Sequence, residues 1–199
     1  MKKTKGGVLE RAIVTPDKHF PLHDQKAINV VCKAIKIVNP EIYIDLGDTG
    51  EWDLFSNHHW RKYDKPPDDL LIPMLDKSVK QVNKGMDQID KVLDKVKCNK
   101  RYFMQGNHEE WLDTYAKKYS RPRFLTQNAL RLKERGYEFH LYTKKVPLKI
   151  GKLNFKHGHR TGMHHAKAHL AMYGESVMYG HTHDLQRHTH TRLGGTISA

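Results

Sequence analysis

The chain has 199 residues, of which 38% are hydrophobic and 29% charged, and a formal net charge of +13. This size and composition suit one globular domain with its own core, and the positive charge favours contact with phosphate-bearing molecules. No apolar run approaches the ~20 residues of a membrane span, and the basic N-terminus does not resemble a signal peptide. We therefore expect a single domain over residues 1–199, cytoplasmic and without a membrane partner, in which Cys32 and Cys98 are reduced core thiols.

The first fifty residues are predicted to form a strand, a helix and a second strand. In order, these elements span residues 11–16, 23–38 and 41–46. The helix has apolar side chains at a helical period and is stopped by an Asn-Pro pair. A right-handed crossover between the strands would bring Asp17, His19 and Asp48 to the same sheet edge.

Residues 49–73 are expected to be irregular and rich in aromatic side chains. These side chains are Trp52, Phe55, His58, His59, Trp60 and Tyr63. Such a long loop is often functional, and the alternative is a small aromatic core that folds the loop onto the domain. Residues 75–96 then alternate apolar positions in steps of four and three, which predicts an amphipathic helix with a lysine-rich solvated face.

The second half of the chain is predicted to alternate strands with short helices. Strands are expected at residues 101–105, 137–142, 146–150, 153–156 and 176–179, with a further strand or hairpin at 185–197. Helices are expected near residues 111–119, 124–135 and 163–172. His165 and His169, four residues apart, are interpreted as helix-surface histidines, and His188 and His190 as surface residues.

Polar clusters follow five of the predicted strands. The clusters are Asp17 with His19, Asp48, Asn107 with His108, His157 with His159, and His181 with His183. Within a D-x-H or H-x-H pair the side chains can point to one side about 6.5–7 Å apart, which suits ligands of one metal or of two neighbouring metals. Nitrogen and oxygen donors without thiolate suit Mn, Fe, Ni or Zn.

The ordered set Asp-x-His, Gly-Asp, Gly-Asn-His-Glu, His-x-His and Gly-His-x-His resembles the calcineurin-like metallophosphoesterases. The resemblance implies an α/β (α+β) fold, a four-layer αββα sandwich with mixed sheets flanked by helices, compact and without a cap domain. It implies that Asp17, His19 and His183 hold one metal, that Asn107, His157 and His181 hold a second, and that Asp48 bridges both. His108 would face the leaving-group oxygen rather than a metal. His159 is expected either to touch substrate or to complete a turn.

The activity that this resemblance implies is phosphoester hydrolysis, as a phosphatase or phosphodiesterase. Two divalent or trivalent ions (Mn, Fe, Ni or Zn, with Mn expected to serve in vitro) would activate a bridging hydroxide for in-line attack on phosphorus. The substrate would be a phosphoester, either a small molecule or a nucleic acid. A DNA or RNA nuclease of the same family is the alternative, favoured by the +13 charge and the aromatic loop, and a non-catalytic scaffold is a third.

Two further expectations concern individual positions. No arginine follows Asp48 where protein phosphatases of this family keep a phosphate clamp, which disfavours a phosphoprotein substrate. Glu109 is expected to be a carboxylate at a helix N-terminus that orients its surroundings. The family usually adds strands beyond Gly-His-Thr-His, so we expect either trimmed final strands or a truncated C-terminus.

Overall fold

Two sheets and a hairpin organise the computed structural model, which describes residues 10–56, 59–61, 66–142, 146–193 and 195–199. The first sheet is parallel, with strands in the order β1 (Ala12–Thr15), β2 (Ile42–Asp45), β3 (Lys100–Met104) and β4 (Tyr137–His140). The second sheet has the order β5 (Leu148–Ile150), β6 (Leu153–Lys156) and β7 (Val177–Tyr179), antiparallel and then parallel. The hairpin pairs β8 (Thr189–Arg192) with β9 (Gly195–Ser198). The fold is therefore mixed α/β, as predicted.

Five α-helices connect these strands in the described residues. They are α1 (Gln25–Val38), α2 (Asp68–Lys95), α3 (Asn107–Lys118), α4 (Thr126–Ala129) and α5 (His165–Tyr173). α1 begins where the side chain of Asp24 accepts the N–H of Lys26, and it ends at Asn39 in the left-handed conformation. In the described part of the chain, no helix is both long and apolar enough to cross a bilayer.

Two hydrophobic cores lie on opposite faces of the first sheet. Tyr43 and Phe103 point into the larger core, where α1 and α2 contribute Ile35, Leu75 and Leu93. The alternating residues of the same strands enter the second core, whose members are Val14, Ile42, Ile44, Leu46, Tyr102, Met104, Leu148, Ile150, Leu153 and Phe155. Because Phe155 and its neighbours belong to the second sheet, this core joins the two sheets face to face.

The aromatic loop between β2 and α2 contributes to the larger core. Trp52 and Phe55 are buried, and the ring of Phe55 lies 4.6 Å from that of Tyr115 on α3. The indole N–H of Trp60 donates to a backbone oxygen of the same loop at 2.7 Å. His58 and Tyr63 lie outside the described residues. The described part of the loop thus behaves as a small aromatic core.

The long helix α2 starts earlier than its apolar pattern predicts. The expected helix covers residues 75–96, whereas the observed one begins at Asp68 and includes Pro73 in its second turn. Leu71 and Leu75 are four residues apart and both fully buried, so the same apolar stripe continues through the proline. The prediction that the irregular segment extends to Pro73 is therefore wrong, because burial of Leu71 and Leu75 keeps the helix intact on both sides of the proline.

The helix predicted over residues 124–135 is wrong in length. Only α4 forms there, preceded by a 3-10 turn at Pro122–Phe124. Leu130 and Leu132 are both fully buried, and residues two apart cannot lie on one face of a continuous helix. Arg131 adopts φ +52°, which breaks the helix and lets both leucines enter the core.

A buried ion pair fixes the end of this segment to α2, and its removal should lower stability. Arg135 donates to Asp90, which also accepts the Tyr137 hydroxyl at 2.8 Å. We expect Arg135→Leu to reduce the free energy of unfolding by about 3 kcal/mol in urea denaturation, because Asp90 stays buried without its main cation. Arg131→Ala is the control. The side chain of Arg131 is 52% exposed, and its guanidinium makes only a long contact of 3.9 Å with Asp87. An equal effect of both changes would contradict the prediction.

Candidate metal centre

The five predicted polar clusters meet beyond the carboxyl ends of the strands, as open α/β sheets favour. The loops that carry them bond to one another through backbone groups. The N–H of Asp17 donates to Gly47 at 3.0 Å, and that of His19 to Asp48 at 2.9 Å. The turn after β7 joins the loop after β6, because the N–H of Gly180 donates to His157 at 2.8 Å. The site is thus assembled from segments up to 164 residues apart.

Asp17, His19 and His183 form the first group of possible ligands. The Nε2 atoms of His19 and His183 are 3.1 Å apart, and His183 Nε2 lies 3.9 Å from Asp17 Oδ1. On the other side of its ring, His19 Nδ1 lies 2.9 Å from Oε2 of Glu51. That carboxylate favours the proton on Nδ1 and leaves the Nε2 lone pair facing the group, the usual arrangement of a metal-binding histidine.

The second group surrounds Nε2 of His157. Three atoms lie within 3.2 Å of it: Asn107 Oδ1 at 3.0 Å, Asp48 Oδ2 at 3.1 Å and His181 Nδ1 at 3.2 Å. Nδ1 of His157 must donate to the backbone oxygen of Leu46 at 2.8 Å, so the neutral ring has a lone pair at Nε2. A lone pair that faces two acceptor oxygens is unfavourable unless a proton or a metal ion lies among them. These donors therefore fit a metal ion.

Asp48 lies between the two groups. Its Oδ2 is 3.1 Å from His157 Nε2 and 4.0 Å from His19 Nε2, while Oδ1 accepts the N–H of His108 at 3.0 Å. Burial raises the pKa of this carboxyl, but the hydrogen bond and positive charge of His157 outweigh burial and lower the pKa to about 2. Asp48 is therefore an anion shared by both groups.

The pKa values of the two histidines around Asp48 diverge. Burial lowers the pKa of His157, but its contact with Asp48 outweighs burial and raises it. Burial and the neighbouring His157 lower the pKa of His181 to about 4. Without a metal, the proton of the second group therefore resides on His157 and occupies the position that a cation would take.

His108 stands beside these groups and contacts Glu51, a residue that sequence reasoning missed. Its Nδ1 is 3.2 Å from Glu51 Oε1, and the backbone N–H of Trp52 points to the same nitrogen at 3.3 Å. Burial lowers the pKa of His108, but the hydrogen bond to Glu51 and the charge of Asp48 raise it overall. His108 also lies within ligand distance of His19 and Asp48, so distance alone does not separate a ligand from a proton donor.

Glu51 joins two histidines of the candidate site through its two oxygens. Oε1 faces His108 and Oε2 faces His19, and these hydrogen bonds outweigh burial and lower the pKa of Glu51. A signal for it existed in the sequence, since it follows Asp48 by three residues in Gly-Asp-Thr-Gly-Glu. Only the folded turn, however, aims that carboxylate at both rings.

Glu109 ties the two central loops together, in keeping with the orienting role expected for it. Its fully buried carboxylate accepts the backbone N–H groups of Asp48, Thr49, Gly50 and Gly106 at 2.8–3.1 Å. Burial and the nearby Asp48 raise its pKa to about 7. Four donors on one carboxylate fix the Gly-Asp turn against the start of α3.

Much of the backbone that carries the predicted ligands is left-handed. Positive φ angles between 45° and 76° occur at Asp17, His19, Asp48, His181 and His183. Each such non-glycine residue costs of order 1 kcal/mol or more, and the cost is tolerated where the surroundings impose the geometry. The reversed backbone turns side chains from separate loops toward a common point.

Gly106 provides a test of how closely the loops must approach. A Cβ at this position would lie 2.1 Å from Oδ1 of Asp48, although its φ of −89° suits any residue. We expect Gly106→Ala to displace Asp48 and to reduce metal content and phosphodiester hydrolysis together by at least about tenfold. Gly162→Ala is the matched control, because no atom lies within 4 Å of its added Cβ. Full activity of Gly106→Ala would show that Asp48 tolerates displacement.

The surface interpretation of His165 and His169 is wrong. Their exposed fractions are 4% and 0%, because both pack against Tyr179 at the end of β7. His165 Nδ1 lies 2.6 Å from the Tyr179 hydroxyl, and the ring of His169 stacks on Tyr179 at 3.9 Å. His169 Nε2 accepts the N–H of His159 at 3.2 Å, which supports the turn role of His159. Burial lowers the pKa of His169 to about 4, as an acceptor requires.

One further buried pair beneath the site escaped sequence reasoning. Nζ of Lys18 lies 2.7 Å from Asp45 Oδ1, and both residues are almost fully buried. The same oxygen accepts the N–H of Gly47 and the hydroxyl of Thr49, so it supports the turn that presents Asp48.

No protein-family model matches the chain, and a search of curated proteins finds no match. The family assignment therefore remains the resemblance of its five motifs.

Proposed function

We propose that this protein is a phosphoester hydrolase that depends on two metal ions, of the calcineurin-like type. The observation that carries the proposal is the meeting of two ligand groups at one buried carboxylate, Asp48. The first group supplies Asp17, His19 and His183, and the second supplies Asn107, His157 and His181. Seven side chains of the types that Mn, Fe, Ni and Zn prefer thus converge without a thiolate.

The layered packing of the two sheets and their helices supports the proposal. A core joins the two sheets face to face, and α1 and α2 cover the outer face of the first sheet. On the second sheet, α5 packs against β7 through His165 and His169. We interpret this arrangement as the αββα sandwich of the family. The free thiols of Cys32 and Cys98 agree with the cytoplasmic location that we propose.

The residues have separate roles in the proposed reaction. When bound, two metal ions would clamp the phosphoryl group and lower the pKa of a water molecule between them. Asp48 would be the ligand common to both metal ions. Glu109 would fix its position by accepting the backbone N–H of Asp48. Glu51 would orient His19 by accepting a hydrogen bond from its Nδ1.

His108 would protonate the leaving oxygen from Nε2. Against the effect of burial, the hydrogen bond to Glu51 raises the pKa of the His108 ring, which favours the protonated form whose second nitrogen can donate a proton. Proton donation of this kind contributes about 10²–10⁴ to a rate. The buried position of the ring beside Asp48 keeps it in one orientation.

Hydrolysis of two chromogenic esters tests the proposal. The full chain would be treated with chelator, loaded with Mn, Zn, Ni or Fe, and assayed on p-nitrophenyl phosphate and bis-p-nitrophenyl phosphate. Metal-dependent release of nitrophenol, with about two ions per chain by elemental analysis, is the expected result. No bound metal and no hydrolysis with any of the four would favour the non-catalytic scaffold instead.

A further inference from the structure

A basic cavity of about 320 Å³ lies outside the residues assigned above. It lies between the start of α5 and the segment before β8 and is lined by His164, Lys167, Gln186, Arg187 and His188. Four of these five side chains can carry positive charge, and the lining includes no carboxylate. Within the part of the chain that the structure describes, none of the four forms an ion pair. Such a cavity suits an anion.

Hydrogen bonds of one side chain connect the two walls of this cavity. The side chain of Gln186 accepts the N–H of Ala166 at 2.9 Å and donates to the backbone oxygen of Met163 at 2.8 Å. The nearest acid in sequence, Asp184, is directed to His165 Nε2 at 3.4 Å. Basic side chains therefore line both connected walls of the cavity, and no carboxylate is among its lining residues.

Basic side chains continue from the cavity along β8. The backbone of His188 pairs with Ala199 in both directions at 2.9 Å, so the strand geometry already applies at His188. Side chains of alternate residues share one face of a strand, which places His188, His190 and Arg192 in a row about 6.5–7 Å apart. His190 and Arg192 are exposed. Glu175 interacts with Arg192, so the far end of the row is partly neutralised.

The cavity is near the candidate metal centre along both of its walls. Five residues separate His183 from His188, a distance of at most about 18 Å for an extended chain. On the other wall, α5 holds the loop after β6 through the bond from His159 to His169. A chain with several phosphates is long enough to reach both places.

We propose that the basic cavity and the row along β8 bind the backbone phosphates of single-stranded nucleic acid beside the scissile bond. One extended strand of basic side chains follows one phosphate backbone, and histidine rings can also stack on unpaired bases. The proposal rests on the phosphoesterase function above and names its substrate class.

Fluorescence anisotropy of a labelled 12-nucleotide single strand tests this proposal. Binding to the full chain would be measured in chelator, so that cleavage does not interfere, across a range of salt concentrations. For Lys167→Ala/Arg187→Ala we expect the Kd to rise about tenfold or more. The slope of log K against log salt should shrink by about 1.4, or 0.7 for each lost phosphate contact.

A matched double variant separates a defined site from general charge. Lys80→Ala/Lys84→Ala removes the same charge from the exposed face of α2, where acidic residues line the neighbouring cavities. We expect its Kd and salt slope to stay close to the wild-type values. Equal weakening by both double variants, or no weakening by the first, would overturn the proposal.

Ligand length and class supply the remaining outcomes. Affinity should rise from a mononucleotide to the 12-mer, and an acidic peptide of equal charge should compete poorly. A mononucleotide that binds as tightly as the 12-mer, or an equally effective peptide, would overturn the assignment to nucleic acid. Hydrolysis of bis-p-nitrophenyl phosphate by the metal-loaded wild type is scored separately. Its absence would refute the phosphoesterase function, whereas a binding result without site dependence would refute only the cavity.

Discussion

Asp48→Asn is expected to reduce metal-dependent hydrolysis of bis-p-nitrophenyl phosphate by about 10³-fold or more. Both ligand groups meet at Oδ2 of Asp48, 3.1 Å from His157 and 4.0 Å from His19. The change removes the shared negative charge and with it several kcal/mol of transition-state stabilisation. Elemental analysis should show a parallel loss of bound metal. The measurement is therefore a rate and a metal content on the same preparation.

An exposed aspartate supplies the control for that experiment. Asp69→Asn makes the same chemical change at an exposed position in the first turn of α2, remote in sequence from every candidate ligand. It should retain wild-type rate and metal content. Retained hydrolysis and two bound ions in Asp48→Asn would refute the bridging role.

His108→Ala is expected to lower turnover by about 10²–10⁴ while both metals stay bound. The defect should be larger for a phosphodiester with a poor leaving group than for the nitrophenyl ester, because a poor leaving group depends more on protonation. Steady-state rates on a leaving-group series, together with metal content, measure both effects. The loss should appear in kcat more than in KM.

Comparing Asn107→Ala with His108→Ala distinguishes the proposed metal ligand from the proposed proton donor. Asn107 Oδ1 lies 3.0 Å from His157 Nε2, so its loss should reduce metal occupancy and activity together. If His108→Ala also empties the site, His108 acts as a ligand. That outcome has a geometric basis, since the ring lies within ligand distance of His19 and Asp48.

The strand and helix pattern of the first fifty residues was predictable because local signals agreed. Apolar runs before Asp17 and Asp48 marked strands that the structure confirms, and an Asn-Pro pair marked the end of α1. Parallel strands bring their carboxyl ends to one edge, so the meeting of Asp17, Asp48 and Asn107 followed from topology, whereas the clusters after β6 and β7 join them from the second sheet. The roles implied by resemblance remain predictions that the variants above test.

The parts that escaped prediction depend on contacts between distant segments. His165 and His169 looked like surface residues because histidine is a weak core signal, yet each finds Tyr179 as a partner. No glycine or proline marks the helix break at Arg131 in the sequence. The break is explained by the burial of both adjacent leucines. Glu51 needed the turn geometry before its two histidines could be recognised.

The left-handed backbone at five predicted ligands has a consequence for how the protein can change. Glycine adopts positive φ without strain, so replacing His183, which is exposed, by glycine removes a ligand and relaxes its segment. Metal-free variants of this kind should melt at a higher temperature than the metal-free parent. Selection for stability alone would therefore favour the loss of these ligands.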